Sequence, residues 1–168
     1  MGAVTTEYRA SATITTTGLQ TLATASTLRV GWTSAEISNT TNKDLDILIS
    51  GRFTLNSTAP TDAKQIQVFA YTQLDDSTWP AGAFSAGTPG TEGAATIIDD
   101  EQKAATFVLL WSTATDATVS DVHNMPPTSV RKAFGYMPNR FAIFVTHDTG
   151  QAFASAVMHS KGMWENVV

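Results

Sequence analysis

One stretch constrains the fold more than any other: RFAIFVTHDTGQAFASAVMHSK, from Arg140 to Lys161. Five consecutive apolar residues, Phe141 to Val145, run into Asp148-Thr149-Gly150, and a second run full of alanines leaves. A strand that wets one face alternates apolar with polar side chains. This first run is apolar on both faces. The spacing predicts a β-hairpin, with Gly150 in the left-handed position that closes a type I turn. In that register Val145 opposes Phe153 and Phe141 opposes Val157. On the other face Phe144 meets Ala154 and Ala142 meets Ala156. Large against small lets two layers approach closely. Leaving Ile143 or Phe144 in water would forfeit roughly 1.5–3 kcal/mol apiece. The hairpin is therefore expected either at the centre of its sheet or at a subunit interface.

The cleanest period-2 signal lies upstream. Leu45, Ile47, Ile49, Phe53 and Leu55 point one way, while Asp44, Asp46, Ser50, Arg52 and Thr54 point the other. Gly51, on the apolar side, marks a bulge or a close neighbouring strand. KQIQVFAYTQL alternates again, with Ile66, Val68, Ala70 and Leu74 opposite Gln65, Gln67 and Gln73. Phe69 and Tyr71 fall on the Gln side, so that face is expected to be partly covered too. Shorter strands are expected at 33–38 and 94–99, and a buried strand at 103–112. Asn39-Thr40-Thr41-Asn42 reads as a turn.

Residues 75–93 form a long Gly- and Pro-rich loop carrying Trp79 and Phe84. VHNMPPTSVRKAFGYMPN reads as irregular, because its prolines break a ladder. Leu19, Leu22 and Ala23 sit at helical spacing, enough for one or two turns. Residues 1–17 are polar and Thr-rich without periodicity, an arm or a loosely attached first strand. GMWENVV is a terminal strand or tail. Short strands, frequent turn signals and almost no helix predict an all-β chain: an antiparallel β-sandwich, of jelly-roll type, over residues 18–168, with an extended N-terminal arm over 1–17. The absence of a repeat argues against a propeller.

Composition narrows the function classes. Charged residues are only 15% of the 168, below the usual quarter, which suits pleated surface and protein interfaces. Net charge is −5 and basic residues are scattered, apart from Arg131-Lys132, so no sequence-independent grip on nucleic acid is expected. There is no cysteine, which removes disulfides, thiolate metal sites and thiol nucleophiles and fits a reducing cytosol as the place of synthesis. No apolar stretch approaches a membrane span, and the start has no secretory pattern. Gly2 and Thr6 match a myristoylation pattern that nothing else in the chain supports.

No catalytic constellation emerges. His123, His147 and His159 stand in no metal-binding spacing. Asp75-Asp76 and Asp99-Asp100-Glu101 could bind Ca²⁺ or act as an acid–base pair, but loop carboxylates are ordinarily solvated. No G-x-S-x-G is present, and the Gly-rich loop lacks the G-K-[ST] ending of a phosphate cradle. The sequons at Asn39 and Asn56 have no secretory context. No enzyme activity, metal or cofactor is expected. Trp79, Phe84 and Trp164 could lid the core, anchor a protein contact or stack on sugar rings.

Three segments together resemble small structural proteins of tailed bacteriophages: SAEISNTTNKDLDILISGRFTL, VFAYTQLDDSTW and MPNRFAIFVTHDTGQAFASA. In those chains an N-x-T-N turn leads into a long alternating strand, and a strand ending LDD opens a variable loop. A final hairpin follows P-x-x-[WF]-[GA]-I-x-V with a turn ending in Gly, matched here by Pro138, Phe141, Ala142, Ile143, Val145 and Gly150. The likeness spans about Ser34 to Ser160. It implies a capsid cement or decoration protein on the outer head shell, often a trimer, that clamps major capsid subunits and is made in the host cytoplasm. The expected contact residues are Thr5, Tyr8 and Ile14 on the arm, Trp79 and Phe84 in the loop, Phe144 on the hairpin and Trp164 in the tail. A tail, baseplate or fibre component, or a carbohydrate-binding jelly roll using Trp79 or Trp164, are the alternatives. A glycosidase using Asp75 or Asp99 is more remote.

Overall fold

The computed structural model describes residues 4–58, 60 and 63–167. The strands in chain order are β1 (Val4–Tyr8), β2 (Ala12–Ile14), β3 (Val30–Thr33), β4 (Ile37–Ser38), β5 (Asp46–Leu55) and β6 (Lys64–Thr72). They continue with β7 (Phe84–Ala86), β8 (Gly93–Ile97), β9 (Val108–Thr115), β10 (Val122–Ser129), β11 (Arg140–His147) and β12 (Phe153–Val167). The described residues also form two short α-helices, α1 (Asp100–Thr106) and α2 (Val130–Phe134), and a single 3-10 turn at Ala81–Ala83.

The architecture is a β-sandwich of two antiparallel sheets. One runs β1-β12-β5-β10, with β2 also on β12. The other runs β7-β8-β3-β11-β6-β9, with β4 also on β11. The last two strands are each inserted between earlier ones: β12 between β2 and β5, β11 between β3 and β6.

That insertion corrects the expected hairpin. β11 and β12 do not pair with each other. Val145 faces Val68 and Trp32 in one sheet, whereas Phe153 faces Leu55 in the other. The connection at 148–152 crosses from sheet to sheet as an arch, with Gly150 at φ 85°. Gly-terminated turn chemistry serves an arch as well as a hairpin. What decides is burial: the arch lets both apolar runs face the same core from opposite sides.

The central core is the β5 stripe Ile47, Ile49, Phe53 and Leu55 against Ile66, Val68, Phe141, Ile143 and Val145, with Met158 and Ala156 from β12. Gly51 meets both expectations: it pairs with Met125, where the β10 register shift begins, and on its other side a Cβ would lie 3.4 Å from Met158 Cγ of β12. Leu19 and Leu22 enter this core, from tight turns (Leu19 N to Thr16 O, 3.0 Å; Leu22 N to Leu19 O, 3.2 Å) rather than from the expected helical turns.

The other face of β11 and β6 has a core of its own. Ala142, Phe144, Phe69 and Tyr71 pack under Ala83, Ala95, Ile97 and Phe107, with Trp79 and Phe84 at the margin. The same chain therefore covers the second apolar face, through its 73–107 segment. The ring of Tyr71 centres it, 5.1 Å from Phe107, 5.4 Å from Phe84 and 5.5 Å from Trp79. Its hydroxyl accepts from Gly90 N at 2.9 Å and lies 2.6 Å from Thr33 Oγ1, which ties the loop down.

Two further expectations are corrected. Residues 103–112 are not one strand, because Asp99 accepts a bond from Gln102 N at 2.7 Å and starts α1. The acidic cluster Asp99-Asp100-Glu101 is thus a helix start, where carboxylates favour the exposed N–H groups. Residues 122–139 are mostly regular: β10 pairs with β5, its Pro126-Pro127 falls in the register shift between Met125 and Thr128, and Ser129 caps α2. Edge position makes those prolines tolerable.

Candidate interaction surface

The first and last described strands, β1 and β12, pair with each other at one side of their sheet. β12 pairs with β5 only as far as Met163↔Asp46, while β1 pairs with Met163 through Val167. Beyond Met163, therefore, Val4–Glu7 and residues 164–167 form a two-stranded ribbon. Such ribbons are marginal alone. This one is clipped at its root. Arg9 donates from Nε to Asp44 Oδ1 at 2.6 Å and from its backbone N to Gly162 O at 2.9 Å. The guanidinium lies over Trp164, 5.8 Å from the ring centroid, and Lys161 Nζ lies 5.1 Å from the Tyr8 ring. Asn166 donates to Glu7 at 2.9 Å.

The anchor carboxylate is held by the N-x-T-N turn. Asn39 accepts from Asp44 N at 2.8 Å and donates to Asp44 O at 2.9 Å. Its buried amide thereby closes residues 39–44 into one rigid loop. Gly162 leaves the space that the Asp44 carboxylate fills, since a Cβ there would lie 2.1 Å from Oδ2.

The outer face of the same sheet is open. Arg52 sits between Asn124 and Val157, Ser50 beside His159, and Leu48 beside Lys161. Two shallow concavities, of about 530 and 260 Å³, adjoin through Ser50 and Pro127. Their walls carry Arg52, His159 and Lys161 and no carboxylate. On a chain of net charge −5 that is a local inversion of sign.

The expected contact residues divide. Thr5 and Trp164 lie on the ribbon and Tyr8, 54% exposed, stands at its root opposite Met163. Phe144 is fully buried in the second core and Ile14 is 8% exposed in the first, so neither can reach a partner from the folded subunit. Trp79 meets Tyr71 edge-on and Phe84 meets it at a tilt, so both act as lids of the second core. Sequence reasoning missed Arg52, His159 and Lys161 as a group. Their shared face was legible for Arg52, on the polar side of the β5 alternation, but only pairing with β12 adds the other two.

Several of the polar groups singled out from the sequence are tied up in local structure. Asp75 accepts from Ser77 N (2.7 Å) and Thr78 N (2.6 Å), bonds that hold its carboxyl below the ordinary range. The Thr118 side chain and then its backbone N (2.8 Å) likewise hold the Asp116 carboxyl below the ordinary range. His147 is buried against Phe153, Nε2 3.1 Å from Leu22 O and Nδ1 3.0 Å from Thr149 Oγ1, and burial pushes its pKa down. His123 Nε2 lies 3.2 Å from Asp121 Oδ2 without hydrogen-bond alignment. Among the described residues no three His, Asp or Glu side chains converge as metal ligands. Among them, too, no helix is long and apolar enough to cross a membrane. No family model matches this chain, and no curated protein matches it either.

Proposed function

We propose that this chain is a structural virion protein: a capsid cement or decoration protein, jelly-roll in topology, that binds the outer head shell and stabilises contacts between major capsid subunits. The insertion of β12 between β2 and β5, and of β11 between β3 and β6, supports the jelly-roll reading. The observation that carries the function is the joining of the terminal ribbon and the basic open face on one sheet, through Lys161 and Tyr8.

The mechanism is adhesion. Among the described residues no strand pairs with the outer edge of β1, which offers backbone N–H and C=O groups for strand addition without a proline or lysine to blunt it. Arg52 and Lys161 have no ion-pair partner among the described residues and meet a carboxylate-bearing shell. Contacts that are modest singly become strong when repeated over a symmetric head. The protein acts without catalysis or cofactor and is assembled in the host cytoplasm as a trimer. The trimer rests on the family resemblance, since the chain itself covers the second apolar face of β11.

Labelled antibody against the protein, viewed on intact virions by electron microscopy, tests the reading. Decoration of the head surface supports it. Label confined to tail or baseplate, or absent from virions, overturns it.

A further inference from the structure

At one end of the sandwich a small polar cleft of about 160 Å³ lies between the 72–76 and 136–140 segments. Ligand pockets for drug-sized molecules run to roughly 300–1,000 Å³. This cleft therefore admits one small ring, not a nucleotide or a peptide. Its aromatic wall is Tyr136, 54% exposed. The αL residue Gly135 (φ 80°) ends α2 and turns the chain out just before Tyr136, while Phe134 steadies the ring at 6.0 Å. A presented aromatic of this kind costs little rotamer entropy on binding.

The polar wall is equally fixed. The Asp75 carboxylate is locked by its own turn, and Arg140 is oriented by Glu36, Nη1 to Oε2 3.3 Å. Asp76, Asn139 and the Tyr136 hydroxyl have no side-chain hydrogen bond among the described residues, so their polar atoms are open to a ligand in the cleft. A cation is a poor match. Ca²⁺ takes about 6–8 oxygens, and here Asp75 is already engaged. Phosphate is a poor match beside two carboxylates.

We propose that this cleft is a saccharide site for a single neutral pyranose, its C–H face on Tyr136 and its adjacent hydroxyls shared by the Asp76 carboxylate, the Asn139 amide and the free N–H groups of Arg140. A pair of neighbouring hydroxyls donates to a carboxylate and accepts from amide or guanidinium at once, and only the aromatic face is indifferent to charge. Asp75 and Asp76 exclude acidic sugars, since the one cation present already serves Glu36. The inference does not rest on the virion reading.

Saturation-transfer NMR on the full chain, with the methyl glycosides of glucose, galactose, mannose and N-acetylglucosamine and with glucuronate as the acidic probe, tests it. The expected result is transfer to at least one neutral glycoside. Tyr136→Ala and Asp76→Ala should each weaken that binding about tenfold. Val119→Ala, in the exposed loop between β9 and β10, should leave it unchanged. Silence from all four neutral probes, preference for glucuronate, or undiminished transfer in Tyr136→Ala overturns the proposal. Exposure of Tyr136 makes the variant a safe one for folding, and a circular dichroism melt checks this.

Discussion

Arg9 reaches from the end of the first strand to the almost fully buried carboxylate of Asp44, and this contact fastens that strand to the loop that leads into β5. The pair is asymmetric: the Asp44 side chain is 3% exposed and the Arg9 side chain 37%. Removing the cation strands a buried charge, which costs more than an exposed pair returns. Arg9→Ala is expected to lower global stability by about 1–2 kcal/mol, less than a fully buried pair because Arg9 is wet. Amide exchange of residues 4–8 should accelerate far more than that of β5. Unchanged exchange in β1 would show that the clip does not hold the ribbon.

Gly162→Ala attacks the same clip from beneath, by driving a methyl into the Asp44 carboxylate. Denaturant titration should show a larger loss than for Arg9→Ala. Because the two substitutions act through one carboxylate, the double variant should lose less than the sum. Strict additivity would mean that they disturb separate structures.

Phe144→Ala distinguishes a core residue from a contact residue. As a core residue it should cost about 3–5 kcal/mol. Association measured by sedimentation should not change while the protein remains folded. A variant of normal stability that dissociates an oligomer would restore Phe144 to an interface.

His147 sets a pH dependence. Burial lowers its folded pKa below the unfolded value of about 6.5, so the unfolded chain binds more protons in the window beneath. Its contribution to stability is full above about pH 6.5 and is lost as the pH falls towards the folded pKa. NMR titration of the ring should give an apparent pKa under 6.5. A value at or above that would contradict the neutral, doubly bonded imidazole in the arch.

The β5 and β6 alternation was legible because burial on one face leaves a period-2 imprint that no tertiary detail erases. Phe69 and Tyr71 on the glutamine side correctly signalled a covered second face. The arch was not legible, since Asp148-Thr149-Gly150 turns a chain equally well within a sheet or between sheets. Helix α1 was missed although Asp99 and Gln102 stand at capping distance; the apolar run after Lys103 outweighed the cap. The interaction surface was only half visible. Thr5, Tyr8 and Trp164 carried a local signal, whereas the Arg52, His159 and Lys161 face exists only through pairing of strands a hundred residues apart in sequence.

Binding to heads that lack the protein is the most direct test of adhesion through this sheet. Purified full chain, a variant lacking residues 1–8, and Arg52→Glu/Lys161→Glu should be compared for occupancy by cryo-electron microscopy. Cutting at residue 8 spares Arg9 and the buried Ile14, so the domain stays folded. The account predicts full occupancy for the wild type, reduced occupancy for the truncation, and for the charge-reversed variant a loss of about tenfold in affinity, greatest at low salt. Both variants coating the shell as well as the wild type does would contradict it.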